Sequence, residues 1–374
     1  MLGLVQLQQR RIAARSWQVG EDGVVANCGD GFLEVRQGIP VLHLKGDAYQ
    51  RGLQQGTLLK EQIAKFVPTY KDTFLADQYR DRVMEMSGRL ERNLPEEIRQ
   101  EARGLADGSE QDYDELVAAN LAYDIIRLAQ CSQFMVLEEH AKQGLVHGRN
   151  FDYYGGGVAQ SYTVLFVVEP DQGIPFVHVG FVGSLGAYTA INAEGLALAV
   201  NTLDGITDEQ GTPLIAPFLE ALTTCSTVEE AVQVFTNRAH LTGNNVGISD
   251  SETAVILELG GGRRVNRRDP EDGWLAATNS ASPVPGGICW RYSALHQRLS
   301  ELQPGGAFTV EDSISLLDTV ALNGSGLGGS LGPSSTLHSV VFEPANRRLH
   351  LGIRGIPATT GEFLTFSLDE LFNR

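Results

Sequence analysis

Cys131, Arg149 and Asp152 are the residues whose types and spacing could do chemistry. They lie in the stretch LAQCSQFMVLEEHAKQGLVHGRNFDYYGGG, which runs from Leu128 to Gly157. Cys131 heads an apolar run, and Gly148-Arg149-Asn150-x-Asp152 closes the next one. If the two runs pair as a hairpin, Cys131 and Arg149 become neighbours. A guanidinium beside a thiol favours the thiolate, the form that attacks a carbonyl. Asp152 would hold the guanidinium and could also bind an amine. Residue types alone leave a second reading open: Cys131 as a small buried apolar residue, with Arg149 and Asp152 as a structural ion pair.

A thiol nucleophile needs a base. His140 and His147 flank the region, but each reads as a surface residue or a satisfied strand residue. The local signatures of papain-like and caspase-like proteases are absent around Cys131. If neither histidine serves, a known alternative is a nucleophile at a chain N-terminus, whose own α-amine takes the proton. Such an amine has a pKa of about 7.7–8.0, suitably near neutrality. That solution requires the Gln130–Cys131 bond to be cut first.

The elements around this stretch divide in two. Before Gln130 the chain reads as helical after an opening of short strands. EVRQGIPVLHLKG has strand character around a Gly-Ile-Pro turn. DAYQRGLQQGTLLKEQIAKFVPTY predicts a helix capped by Asp47 and ended by Pro68. NLPEEIRQEARGLADGSE predicts another, with Pro95 near its first turn and Gly108 beyond its end, and DYDELVAANLAYDIIRLAQ a third. From Cys131 onward the chain reads as strands joined by short turns, which implies antiparallel neighbours. Helices interrupt them at PLIAPFLEALTTC, STVEEAVQVFTNR, CWRYSALHQRLSELQ and TVEDSISLLDTVAL. Ser226-Thr227-x-Glu229-Glu230 is a helix cap with acids in the first turn. The order predicts an α+β layered protein, with two antiparallel sheets face to face and helices outside. The loop NGSGLGGSLGPSST is not a phosphate cradle, since no Lys-Ser/Thr follows it.

Bulk properties narrow the function. The chain has 374 residues, 42% hydrophobic and 20% charged, which is ordinary globular composition. Its formal net charge of −17 would repel phosphate backbones and anionic lipid, so nucleic acid and acidic membranes are poor partners. The opening MLGLVQLQQRRIAARSWQVG does not read as a secretory signal, and no run is long enough to cross a bilayer. The expectation is a soluble, cytoplasmic protein. Its four cysteines, Cys28, Cys131, Cys225 and Cys289, are scattered, which disfavours a zinc site and gives no disulfide framework.

These motifs resemble the N-terminal nucleophile hydrolases with a cysteine nucleophile. The branch that fits best is the acyl-coenzyme A:isopenicillin N (6-aminopenicillanate) acyltransferase family, with choloylglycine hydrolases and penicillin V acylases as relatives. CSQF followed by HGRNFDY, then AINAEGLALAVNTL, LAATNSASP and WRYSALHQRL, occur in the family's order. GDAYQRGLQQGTLLKEQI resembles the Gly-x-x-Tyr-x-x-Gly-x-x-x-Gly segment of the acyltransferase members. Ala193 departs from the Glu common in the family's Asn-Glu-x-Gly-Leu turn.

The resemblance implies a four-layer αββα sandwich. It implies residues 1–130 as a mostly helical leader with a short strand region, and 131–374 as the catalytic domain. Self-cleavage before Cys131 leaves the leader bound as a separate chain. Cys131 becomes the nucleophile and its α-amine the base. Arg149 and Asp152 tune the thiol and hold the amine, Asn201 and Asn279 offer N–H groups to the oxyanion, and Arg291 completes the site. Without the resemblance, Asn279 reads as a turn or cap residue, Arg291 as a helix flank, and Asn192 as a turn former. The expected substrate is a small linear acyl amide, hydrolysed or passed to another amine. An ester or thioester substrate, or an uncleaved silent binding protein, are the alternatives. No metal or cofactor is implied, and a homo-oligomer is allowed.

Overall fold

The computed structural model describes residues 17–74, 77–126, 129–153, 158–203, 207–281, 289–321 and 335–373. Most of the opening segment and of the Gly/Ser-rich loop lies outside them.

Two sheets form the centre. The larger begins with a meander: β1 (Gly23–Cys28), β2 (Gly31–Arg36) and β3 (Ile39–Gly46). It continues through β6 (Thr163–Pro170), β7 (Phe176–Phe181), β8 (Thr189–Asn192), β9 (Ala197–Thr202), β10 (Asn244–Ser249), β11 (Ala254–Leu259) and β12 (Val265–Arg268), making ten strands. The smaller has the order β13 (Trp274–Ala277), β4 (Ser132–Val136), β5 (Val146–Tyr153), β14 (Ser335–Glu343), β15 (Arg348–Gly352) and β16 (Phe363–Ser367). The pairing is antiparallel with one exception. β3 meets β6 in parallel, from Val41 against Leu165 to Gly46 against Pro170. The large sheet is therefore mixed, because the segment before Cys131 joins it from outside the run of short hairpins.

Ten helices flank the sheets among the described residues: α1 (Ala48–Leu58), α2 (Lys60–Phe74), α3 (Asp77–Leu90), α4 (Glu96–Ser109), α5 (Tyr113–Ile126), α6 (Ile215–Thr224), α7 (Val228–Thr236), α8 (Trp290–Leu299), α9 (Val310–Val320) and α10 (Leu368–Phe372). Strand alternation sorts the layers. In β6, Val164, Phe166 and Val168 face α1–α7 and share a cluster with Ile63, Leu105 and Phe218. Leu165 and Val167 face the other way, onto Val340, Phe342 and Leu351 of the small sheet. The far side of the small sheet, with Phe134, Val136 and Val341, packs on Leu295 and Leu299 of α8 and Leu316 and Val320 of α9. The expected α+β sandwich of four layers, helix–sheet–sheet–helix, is borne out. None of the described helices is long and apolar enough to cross a membrane.

Several local expectations change. The β2–β3 turn is Gln37-Gly38, both at positive φ, and Pro40 lies inside β3. Two left-handed residues match the twist of a hairpin, which Gly-Ile-Pro cannot do. Pro68 sits within α2 and does not end it, and the single expected helix is two, α1 and α2. Ile63 and Phe66, buried on one side of the chain, anchor α2 ahead of the proline. Pro95 is the N-cap of α4, and Gly108 lies inside that helix.

Gly108 has a packing reason. α1 and α4 cross with glycine against glycine. A Cβ on Gly52 would lie 1.9 Å from the Glu101 carbonyl oxygen, and one on Gly104 would lie 2.1 Å from that of Tyr49. Gly56 and Gly108 meet Leu105 and Leu53 in the same way. Only bare backbone permits so close an approach.

Candidate active site

β4 and β5 pair antiparallel as expected, with Gln133 opposite Arg149 and Ser132 opposite Asn150. Cys131 stands just before β4. Arg149 reaches diagonally across the pair, and its Nη2 approaches Cys131 Sγ at 3.6 Å. Both residues are fully buried. Arg149 Nη1 donates to the Val200 carbonyl on β9, so the guanidinium bridges the two sheets. Its carbon also lies 5.1 Å from the centre of the Phe151 ring, at cation–π range.

Asp152 follows on β5, also fully buried. The Thr336 hydroxyl donates to its Oδ1 at 2.5 Å. Its Oδ2 has no hydrogen-bond partner among the described residues and stands 3.7 Å from Arg291 Nη1. Burial pushes the Asp152 carboxyl up to about 6, with Arg291, Thr336 and Arg149 pulling the other way. Burial also pushes the Cys131 thiol up, while Arg149 opposes it. In the intact chain burial thus outweighs the guanidinium, contrary to the expected activation.

The remaining partners converge on the chain just before Cys131. Asn279 lies two residues beyond β13. Its Nδ2 donates to the carbonyls of Ala129 at 3.0 Å and Thr202 at 2.8 Å, and to Thr202 Oγ1 at 3.0 Å. Thr202 Oγ1 itself donates to the Ala129 carbonyl at 2.8 Å. Arg291, at the start of α8, donates through Nη1 to the Cys131 carbonyl and through Nη2 to Asn279 Oδ1 at 3.1 Å. The Gln130 amide donates to the Asp152 carbonyl at 2.8 Å. Cys131, Arg149, Asp152, Asn279 and Arg291 are therefore gathered around residues 129–131. Asn201 is turned elsewhere: its Nδ2 donates to the Ala277 carbonyl at 3.1 Å and its Oδ1 accepts from Gln133 Nε2 at 2.6 Å. Asn192 is a buried turn former that accepts from the amides of Glu194 and Leu196.

Sequence reasoning missed Thr202 and Thr336. Thr202 directly follows Asn201, so the motif reached its neighbour. Thr336 has no signal in the sequence, because only β5–β14 pairing brings it to Asp152. His147 is a satisfied buried residue, bonded to Ser249 and Gln133 and pushed down to about 3 by burial.

Beside Phe151 opens a cavity. Phe66, Leu116 and Tyr123 line it from before Cys131, and Phe151, Phe181 and Tyr188 from after it. Tyr123 stacks on Tyr188 at 4.7 Å between ring centres, joining the two parts of the wall. The lining is apolar and aromatic, suited to a hydrocarbon or aryl group.

The order of motifs and the gathered side chains can be set against known proteins. The acyl-coenzyme A:6-aminopenicillanic acid acyl-transferase family model matches residues 139–320. The resemblance carried by the motifs is thereby borne out. The matched span holds Arg149, Asp152, Asn201, Asn279 and Arg291, while Cys131 lies just ahead of it. An uncharacterized protein of Archaeoglobus fulgidus is 24% identical over 243 residues, 56% of this chain and 38% of its own length. Protein dcd1B of Dictyostelium discoideum is 25% identical over 255 residues, 59% of this chain and 50% of its own. The match thus spans half or less of these relatives. Among solved structures, the Caenorhabditis elegans N-acylethanolamine-hydrolyzing acid amidase ortholog is 16% identical, covering 57% of this chain and 93% of its own, at a TM-score of 0.46. Penicillin V acylase from Agrobacterium tumefaciens is 15% identical, covering 61% and 84%, at a TM-score of 0.46.

Proposed function

We propose that the protein is a self-processing cysteine amidohydrolase or acyltransferase acting on acyl amides with an apolar acyl group. The observation that carries this reading is the contact of Cys131 Sγ with Arg149, beside an Asp152 oxygen that lacks a hydrogen-bond donor.

The chemistry runs in two stages. In the first, Sγ attacks the Gln130 carbonyl carbon. The bond to the Cys131 nitrogen breaks, that nitrogen takes the thiol proton, and a thioester remains. Water cleaves the thioester, leaving a carboxyl on Gln130 and a free α-amine and thiol on Cys131. Asp152 Oδ2, which accepts no hydrogen bond among the described residues, is suited to hold the new ammonium group. In the second, the neutral α-amine takes the Sγ proton and the thiolate attacks the substrate carbonyl. In each stage Asn279, released from the Ala129 carbonyl, donates to the oxyanion. The departing amine takes the proton back, and water or a second amine receives the acyl group. Hydrolysis is favoured, because water is always present. The aromatic cavity against Phe151 receives the acyl chain.

Intact-mass measurement on the purified protein tests the first stage. Two fragments meeting at Gln130–Cys131 are expected, and one full-length chain that persists through long incubation would refute self-processing and favour a silent binding protein. Cys131→Ala is expected to abolish both cleavage and turnover. Hydrolysis retained by that variant would remove Cys131 as nucleophile. Comparing amide, ester and thioester forms of one acyl group separates the amidase from its nearest alternative.

A further inference from the structure

Asn279 lies two residues past the end of β13, not within a strand. A donor on such a segment aims well only if its backbone is held from outside. The holding group is on β10. Asn245, fully buried, donates through Nδ2 to the Thr278 carbonyl at 2.8 Å and the Ser280 carbonyl at 3.0 Å. One side-chain amide therefore grips the chain on both sides of Asn279. Next to it in the sheet, Asn201 lies opposite Asn245 and donates to the Ala277 carbonyl. Behind both stands Gln133, whose Nε2 donates to Asn201 Oδ1 and to the Asn245 carbonyl at 3.3 Å.

We infer that Asn245 is a positioning residue that aims the Asn279 amide at the reacting carbonyl, acting through the backbone of Thr278 and Ser280. The inference rests on the reading of Asn279 as an oxyanion donor. The chemistry of the site selects an amide. A carboxylate would face two carbonyl oxygens with no proton to offer, and an aliphatic side chain would leave both carbonyls unpaired in a dry interior. A hydroxyl can serve only one of them.

The test is a double-mutant cycle on the full chain. Two reactions are read in parallel: release of aminomethylcoumarin from its decanoyl amide, and cleavage at Gln130–Cys131 followed by intact mass. The second does not depend on choosing the right acyl group. Asn279→Ala is expected to cost about 10²–10³ in rate, the usual loss of an oxyanion donor. Asn245→Ala is expected to lower kcat about tenfold or more, with KM changed less than about twofold, since a supporting group fixes geometry and not substrate affinity. In the Asn279→Ala background the same change is expected to cost less than about threefold, because its effect passes through Asn279. Equal losses in both backgrounds, or an unchanged rate in the wild-type background, would overturn the inference. Asn245→Ser, which keeps one donor, replaces the alanine variant if that one does not fold, with an intermediate loss and the same dependence on Asn279 expected. A harmless Asn279→Ala would sink the reading of the site itself. A costly Asn279→Ala beside a harmless Asn245→Ala would sink only the positioning role.

Discussion

At the scale of single residues, Cys131 is poised but restrained. Burial raises its thiol pKa, and Arg149 is the first group working against that. Arg149→Leu is expected to slow alkylation of the thiol by a small reagent at pH 7.5 by about tenfold, and Arg149→Lys to slow it less, because the charge is kept. Equal rates in all three proteins would show that the guanidinium does not tune the sulfur. Asp152 gives a second test, with its sign fixed. Its carboxyl titrates at about 6, above the ordinary value of 3.8, so between these two pH values the native state holds more protons than the unfolded state. Its contribution to stability therefore falls as pH rises from about 4 to 6. Asp152→Asn should remove that downward contribution, read as a change in the slope of denaturation midpoint against pH. An unaltered slope would contradict the raised carboxyl. The Cys131–Arg149 contact was legible in the sequence because a short hairpin joins the two residues. Asn279 and Arg291 were legible only through the motif order. Thr336 and Asn245 were not legible, since their roles arise from sheet and layer contacts between distant segments.

At the scale of elements, the glycine crossing of α1 and α4 carries a sharp expectation. Gly104→Ala would drive a methyl to 2.1 Å from the Tyr49 carbonyl oxygen, and the helices must part to admit it. A loss of more than about 2 kcal/mol in chemical denaturation is expected, in the range of overpacked cores. Gly88, in α3, meets no atom within 4 Å, and there alanine should gain about 0.5–1 kcal/mol from helix propensity. If the two substitutions behave alike, the crossing is looser than described. Ala119, on the cavity wall from α5, offers a test of the acyl pocket. Ala119→Phe should shift turnover from decanoyl toward butanoyl amides, and an unchanged chain-length profile would take the cavity out of substrate binding. Helix starts were the legible part at this scale. Asp47 and Thr227 both cap their helices as their sequences suggest, and each does so through a capping box. The glycines were misread, because a glycine that ends a helix and one that admits a neighbour look alike in one sequence. α3 was passed over, its narrow apolar stripe of Val83, Met86 and Leu90 lying among charged residues.

For the whole molecule, buried histidines held neutral shape the response to acid, His147, His178, His240 and His338 among them. Burial pushes His147 and His178 down to about 3, and His338 well below its ordinary value. Unfolded histidines take up protons near 6.5, whereas these stay neutral, so stability is lost as pH falls below about 6.5. This opposes the Asp152 effect and outnumbers it. Denaturation midpoints should be lower at pH 4.5 than at 7.5, and equal midpoints would refute the buried neutral state. The four layers were readable from strand alternation and helix order, but the parallel joint was not, since no local pattern marks which distant strand a meander will meet.

That joint between β3 and β6 bears on how the protein can be made. Omitting everything before Cys131 would bare the flank of β6, a hydrophobic strand whose amides and carbonyls now have partners. Exposed strand flanks of this kind recruit other chains. A gene starting at Cys131 should therefore yield insoluble material, rescued when the missing piece is supplied from a second plasmid in the same cell.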